Sequence, residues 1–233
     1  MDYDFIIVGA GSAGSVLAAR LSESGRFRVL LLEAGGHDRR FWIQTPIGYG
    51  MSYYNPAVNW MYWSEPIPGF NGNRTYVPRG KVLGGSGSIN AMVYSRGQAS
   101  DFDDWEAAGN PGWGWRDLLP VYRRLEDHAL GASDLHGAGG PLHVESMAQS
   151  AHGVCASFFQ GAAALGLPFS DDLNGETIEG VGHYQVTTRG GRRLSTARAY
   201  LWPAMKRPNL RVETEALATC VLFEGRRAVG VEY

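Results

Sequence analysis

The chain has 233 residues, 44% hydrophobic and 19% charged, the make-up of a folded protein with a sizeable core rather than of a disordered one. Its net charge of −2 leaves no electrostatic footprint for nucleic acid or an acidic lipid surface, and no apolar run is long enough to cross a bilayer. The two cysteines, Cys155 and Cys220, lie far apart without metal-ligand spacing, which excludes a disulfide scaffold and a zinc site and predicts buried thiols in a reducing, cytoplasmic setting.

In chain order, Asp4–Val8 is a short apolar run stopped by glycine, the pattern of a buried parallel strand. Val16, Leu17 and Leu21 then recur at helical spacing from Ala13 to Leu21, and Gly25 stops the helix. Val29–Leu32 reads as a second buried strand, which completes one strand–helix–strand unit. From His37 to Gly80 the chain is rich in Trp, Tyr, Pro, Asn and Gly without a sustained period, as expected of long ordered loops over a ligand. The spacing predicts a helix start over Ile89–Val93 and helices over Asp101–Trp105 and Trp115–Leu125. The Gly137–Pro141 turn cluster marks a change of domain, and segments over 1–140, 141–188 and 189–233 are expected. Within these, Leu142–Val144 and Leu210–Thr214 read as strands, and Ser157–Leu165 and Ser195–Met205 as helices. Leu217–Phe223 and Ala228–Tyr233 flank a glycine turn as a β-hairpin. Arg189, Arg192 and Arg193 form the strongest basic cluster and read as a solvated loop.

The chemistry is carried by glycine, whose 32 residues are about twice the average share. Gly9-Ala10-Gly11-Ser12-Ala13-Gly14 directly follows a strand and opens a helix, the context in which GxGxxG binds a dinucleotide. Gly9 permits the tight turn, Gly11 lets a pyrophosphate approach, and Gly14 lets helix and strand pack closely. The helix start at Ser12 and Ala13 offers N–H donors and a partial positive charge to the phosphates. Glu33, nineteen residues past Gly14 at the end of the second strand, is placed to accept hydrogen bonds from ribose hydroxyls and would repel a 2′-phosphate. A second glycine-rich stretch, Gly80-Lys81-Val82-Leu83-Gly84-Gly85-Ser86-Gly87-Ser88-Ile89-Asn90, would lie flat against a ligand, with Ser86, Ser88 and Asn90 as polar partners.

This second stretch resembles the first signature of the glucose–methanol–choline (GMC) oxidoreductases. So do Glu33-Ala34-Gly35-Gly36, Asn59-Trp60, Pro78-Arg79-Gly80, Gly112-Trp113-Gly114-Trp115 and Ser195-Thr196-Ala197-Arg198-Ala199-Tyr200-Leu201. The resemblance covers essentially the whole chain. It implies an α/β fold: a Rossmann-like FAD-binding domain, with a βαβ unit and a β-hairpin, made of a first part over 1–140 and a return over 189–233, joined to part of a substrate-binding α+β domain over 141–188. It further implies that the C-terminal half, with the second signature and the catalytic histidine region, is missing beyond Tyr233. The implied cofactor contacts are Gly9, Gly11, Ser12, Ala13, Gly14, Glu33 and Ala34 on the ADP half of FAD. Val82, Gly85, Asn90, Ala91, Met92 and Val93 would meet the pyrophosphate and the flavin ring, and Ala218 the adenine. Relatives that bind FAD covalently use a histidine just before the Asn90 position; Ile89 stands there, so non-covalent FAD is expected. The implied reaction is hydride transfer from a small-molecule primary alcohol to flavin, with oxygen or a quinone-type compound as electron acceptor. A non-catalytic flavin-binding fragment and a same-fold flavoenzyme with lyase or photodecarboxylase chemistry remain alternatives. None of the six histidines falls in a catalytic motif, and each reads as a surface or packing residue.

Overall fold

The computed structural model describes residues 2–233. In chain order it runs β1 (Phe5–Val8), α1 (Ser12–Leu21), β2 (Val29–Leu32), α2 (Phe41–Gln44), α3 (Tyr49–Tyr53), β3 (Tyr62–Trp63), β4 (Tyr76–Val77), α4 (Ala99–Ala107) and α5 (Trp115–Leu125). There follow β5 (Glu126–His128), β6 (Leu142–Ser146), α6 (Val154–Ala164), β7 (Gln185–Val186), β8 (Thr188–Arg189) and β9 (Arg192–Arg193). The last elements are α7 (Trp202–Ala204), β10 (Leu210–Glu213), β11 (Cys220–Glu224) and β12 (Arg227–Glu232). Two compact units result, one from the chain up to Ala91 together with Gly191–Tyr233, the other from Met92–Gly190.

The first unit is built on a parallel sheet in the order β1-β2-β10, a Rossmann-like arrangement. The all-apolar β2 sits in the middle because its alternate side chains serve two cores. Val29 and Leu31 pack with Ala18 and Ala19 of α1 and with Ala197 and Leu201, whereas Leu30 and Leu32 pack with Ala216, Ala218 and Val231. β1 is less covered than its apolar run predicts, with Val8 exposed, since β2 is its one strand partner among the described residues. The β11–β12 hairpin forms as expected, with a bulge at Leu222/Phe223.

The 37–80 stretch is more structured than expected, since it holds α2, α3 and the β3–β4 pair. Buried Asn59 organises it: Oδ1 accepts the N–H groups of Met61 and Arg79, both at 2.9 Å, and Nδ2 donates to the Tyr53 carbonyl. The helix expected over Ser195–Met205 begins as a π-helical turn over Ala197–Leu201 before α7. Pro203 explains this, having no N–H to offer the carbonyl four residues back.

The second unit carries a sheet in the order β5-β6-β7, with β5 parallel and β7 antiparallel to β6. The pairing of β5 with β6 spans the Gly137–Pro141 turns, so the division expected at residue 140 falls inside this unit rather than at its edge. The chain returns to the first unit at Gly191. Helix α4 starts with a capping box between Gln98 and Asp101, and α6 begins at Val154, three residues before its expected start. Neither cysteine is buried as expected: Cys155 is half-buried and Cys220 is exposed on β11. No helix among the described residues is long and apolar enough to cross a membrane.

Candidate dinucleotide-binding site

The tight turn after β1 has the geometry that glycine alone takes without strain: Gly9 adopts φ +92° and its N–H donates to the Leu32 carbonyl at 2.7 Å. Gly14 lies so close beneath that turn that a Cβ there would meet the Gly9 carbonyl. Gly11 precedes α1 and faces open space, and no side chain caps this helix start. The donors of the first turn are therefore directed to whatever lodges before it.

Glu33 closes the other end of the turn. Its carboxylate accepts the Ala10 N–H at 2.8 Å through Oε2 and the Gly35 N–H at 2.9 Å through Oε1. Burial pushes its pKa up, offset in part by the Gly35 and Ala10 N–H groups and by Lys81. Glu33 thus holds the glycine turn to the end of β2, and an ionised carboxylate retains lone pairs for ribose hydroxyls beyond these two bonds.

The second glycine stretch packs onto the first. Gly84 donates its N–H to the Ala10 carbonyl at 2.7 Å, and the Ser15 hydroxyl donates to that same carbonyl at 2.9 Å. A Cβ at Gly85 would come within 2.8 Å of the Gly11 Cα, so the two loops touch backbone to backbone. The helix expected from Ile89 does not form. Gly85–Ser88 makes one 3₁₀ turn, the Ser88 hydroxyl folds inward to the Leu83 carbonyl at 2.6 Å, and Met92 takes φ +62°. Ser88 is therefore a buried internal clasp and not a ligand donor.

A cleft of about 400 Å³ opens where these pieces converge, and Gly9, Gly11, Glu33, Ala34, Gly85 and Ala218 line it. Of the other expected contacts, Ser12 and Ala13 lie exposed in the first turn of α1, Gly14 is buried under the turn, and Val82 is a fully buried core residue. Asn90 and Ala91 are exposed at the end of the second stretch. Met92 and Val93 belong to the second unit, where Val93 bridges to Val186.

Trp60, Tyr62 and Arg79 also line the cleft and had no contact role assigned from sequence. Trp60 and Tyr62 stack at 5.8 Å with rings 8° from parallel, and the Lys81 ammonium stands 4.7 Å from the Trp60 ring centre. Trp60 and Arg79 stand in stretches that resemble the family, and the aromatic richness of the 37–80 stretch was the signal for Tyr62. Arg193, read as part of a solvated loop, is instead fully buried. Its Nε donates to the Ile43 carbonyl at 2.9 Å, and one Nη donates to the Gly87 carbonyl at 3.2 Å and to Asn90 Oδ1 at 2.9 Å. Burial pushes its pKa down to about 10.

The residues present fit the FAD that the resemblance implies. A turn without Cβ atoms at Gly9 and Gly11, an uncapped helix start and a buried acid at a strand end together match a dinucleotide's pyrophosphate and ribose.

A separate polar cluster lies in the second unit. Buried Arg96 and Glu126 pair at 2.5 Å, and His136 reaches Glu126 at 3.1 Å and Asp172 at 2.8 Å. Burial alone would lower the His136 pKa, but the two carboxylates override it and raise the ring to about 9. His128 stacks on His136 at 3.9 Å and is pushed down by burial and by that neighbour. Both rings are buried, so these two histidines serve packing and ion pairing.

The GMC oxidoreductase family model matches residues 3–233. Mitochondrial choline dehydrogenase of Mus musculus is 47% identical over 239 residues, which take in 100% of this chain and 40% of that protein. An alcohol dehydrogenase [acceptor] of Pseudomonas putida is 46% identical, with 99% and 42% covered. Among solved structures, pyridoxine 4-oxidase from Mesorbium loti superposes with a TM-score of 0.94 at 38% identity, over 99% of this chain and 45% of its own. An FAD-dependent oxidoreductase from Chaetomium thermophilum gives 0.88 at 31% identity, over 99% and 41%. The chain thus spans about two fifths of the length of the relatives it matches, and it belongs to the GMC oxidoreductase family.

Proposed function

We propose that the first unit holds FAD non-covalently, with its ADP half in the cleft between the two glycine turns. In the complete protein this cofactor serves the oxidation of a CH–OH group in a small or aromatic primary alcohol, choline-like alcohols included. Electrons then pass to oxygen or a quinone-type acceptor. The observation that carries this reading is the convergence of Gly11, Gly85 and Glu33 on one cleft. The likeness to a choline dehydrogenase and an alcohol dehydrogenase supports the substrate class. Two cysteines without a disulfide suit a reducing compartment such as the cytoplasm.

Bound FAD supplies the hydride acceptor. The chain's own residues bind and orient it. The start of α1 and the Gly11 backbone receive the pyrophosphate, Glu33 takes the ribose hydroxyls, and the Trp60–Tyr62 stack walls the cleft beside Arg79. Gly80–Asn90 forms the bed for the remainder of the cofactor. Ile89 is a buried apolar side chain and offers no nucleophile for a covalent link. No histidine lines this cleft among the described residues, so these contacts assign binding and no proton-accepting base.

The test is a visible absorbance titration of the complete protein with FAD, followed by anaerobic addition of choline or benzyl alcohol. Saturable binding with a perturbed flavin spectrum, then bleaching by an alcohol, is the expected course. Absence of binding would overturn the cofactor assignment. Binding without bleaching by any primary alcohol would overturn the substrate class.

A further inference from the structure

Arg193 is a fully buried cation whose hydrogen bonds among the described residues all go to neutral acceptors, the carbonyls of Ile43 and Gly87 and the amide oxygen of Asn90. No carboxylate lies within ion-pair distance among the described residues, and its second Nη has no hydrogen-bond partner there. Taking a guanidinium out of water without a counter-charge is costly, and an apolar side chain of similar volume would fill the space without that penalty. What the guanidinium does achieve is geometric. Its planar fork spans α2, through Ile43, and both ends of the turn formed by Gly87 and Asn90. It also fixes the Asn90 amide with its oxygen toward Arg193, so that the Nδ2 end lies on the opposite side. The loop held in this way is the one whose Gly85 packs against Gly11 at the cleft.

We infer that Arg193 is a positioning residue of the cofactor site: it clamps the Gly85–Asn90 turn through Gly87 and Asn90, and its unbalanced positive charge favours the anionic dinucleotide lodged against that turn. This rests on the FAD reading given above and adds a residue that touches the cofactor only through others. An unsatisfied buried donor and an unpaired buried charge are features that a bound anion offsets.

The experiment is a double-mutant cycle on FAD affinity in the complete protein stripped of flavin, with melting temperature measured alongside. The variants are Arg193→Met, Asn90→Ala and the two combined, with Arg193→Lys as the charge-keeping control. Arg193→Met is expected to raise the FAD dissociation constant at least tenfold. Asn90→Ala is expected to raise it several-fold, and the double variant to be no worse than twice the larger single effect. Arg193→Lys, which keeps the charge but cannot span the acceptors, should fall between parent and Arg193→Met. A folded Arg193→Met protein that binds FAD within twofold of the parent would overturn the inference, as would effects that simply multiply. If Arg193→Met does not fold, the cycle of Arg193→Lys with Asn90→Ala decides by the same criterion. A parent protein that takes up no FAD would instead defeat the cofactor reading itself, which keeps the two failures distinct.

Discussion

Replacing Gly14 or Gly11 by alanine separates the two jobs that the first glycine motif performs. A Cβ on Gly14 would stand 1.9 Å from the Gly9 carbonyl oxygen and 3.3 Å from Ile7 Cγ2, and the first of these is backbone. Relief needs α1 to move away from the turn by more than 1 Å, roughly, against a close-packed interior. Inserting a methyl into packed structure costs about 1–3 kcal/mol, and a collision with backbone belongs at the upper end. For a chain of this size that lowers the melting temperature by roughly 6–12 °C. Gly11 is the opposite case. Its φ of −66° suits any residue, and a Cβ there meets nothing within 4 Å. Its alanine variant should melt within about 2 °C of the parent, since the changes in cap preference and unfolded-state entropy are each under ~1 kcal/mol and opposed. The methyl would, however, project into the cleft that Gly11 lines, and FAD affinity should fall at least about tenfold. Differential scanning fluorimetry and a flavin fluorescence titration on both variants read the two effects. Equal melting losses, or undiminished FAD affinity in Gly11→Ala, would refute the reasoning.

Three further outcomes are expected. Acid-precipitated, washed protein should release all its flavin to the supernatant, because Ile89 offers no attachment atom; a yellow pellet would count against it. Glu33→Gln turns one of the two backbone-accepting oxygens into an NH₂ group, leaves Ala10 or Gly35 with an unpaired buried N–H, and should cost about 1–3 kcal/mol in urea denaturation. The His136 pKa is raised in the folded state, so its stabilising effect is complete below the unfolded value near 6.5 and is lost as pH rises through about 9. Denaturant stability should therefore decline by up to about 3 kcal/mol between pH 6.5 and pH 9.5, and a His136→Gln protein that shows the same slope would exclude this origin.

The βαβ core, its glycine turn and the acid at the end of β2 were legible from sequence because each is local. The strand period, the strand-to-helix switch and the Gly9–Gly14 spacing all fall within the first 33 residues. The second glycine stretch was legible as a glycine-rich loop, and part of it lines the cleft, although its expected helix was not there: Ser88 turned inward to Leu83, a choice between two hydrogen-bond partners that spacing does not reveal. What tertiary structure alone decided depends on residues far apart in the chain. β10 joins β2 after an excursion of well over one hundred residues, Gly85 meets Gly11, and Trp60 and Arg79 come to the cleft through a loop pinned by Asn59. Arg193 is the sharpest case. An arginine among glycines and arginines reads as solvated, because local composition reports charge density and not depth. Its burial is set by α2 and by the Gly87–Asn90 turn, about one hundred residues or more away, and no period or motif encodes a contact whose partners are carbonyl oxygens that every residue carries.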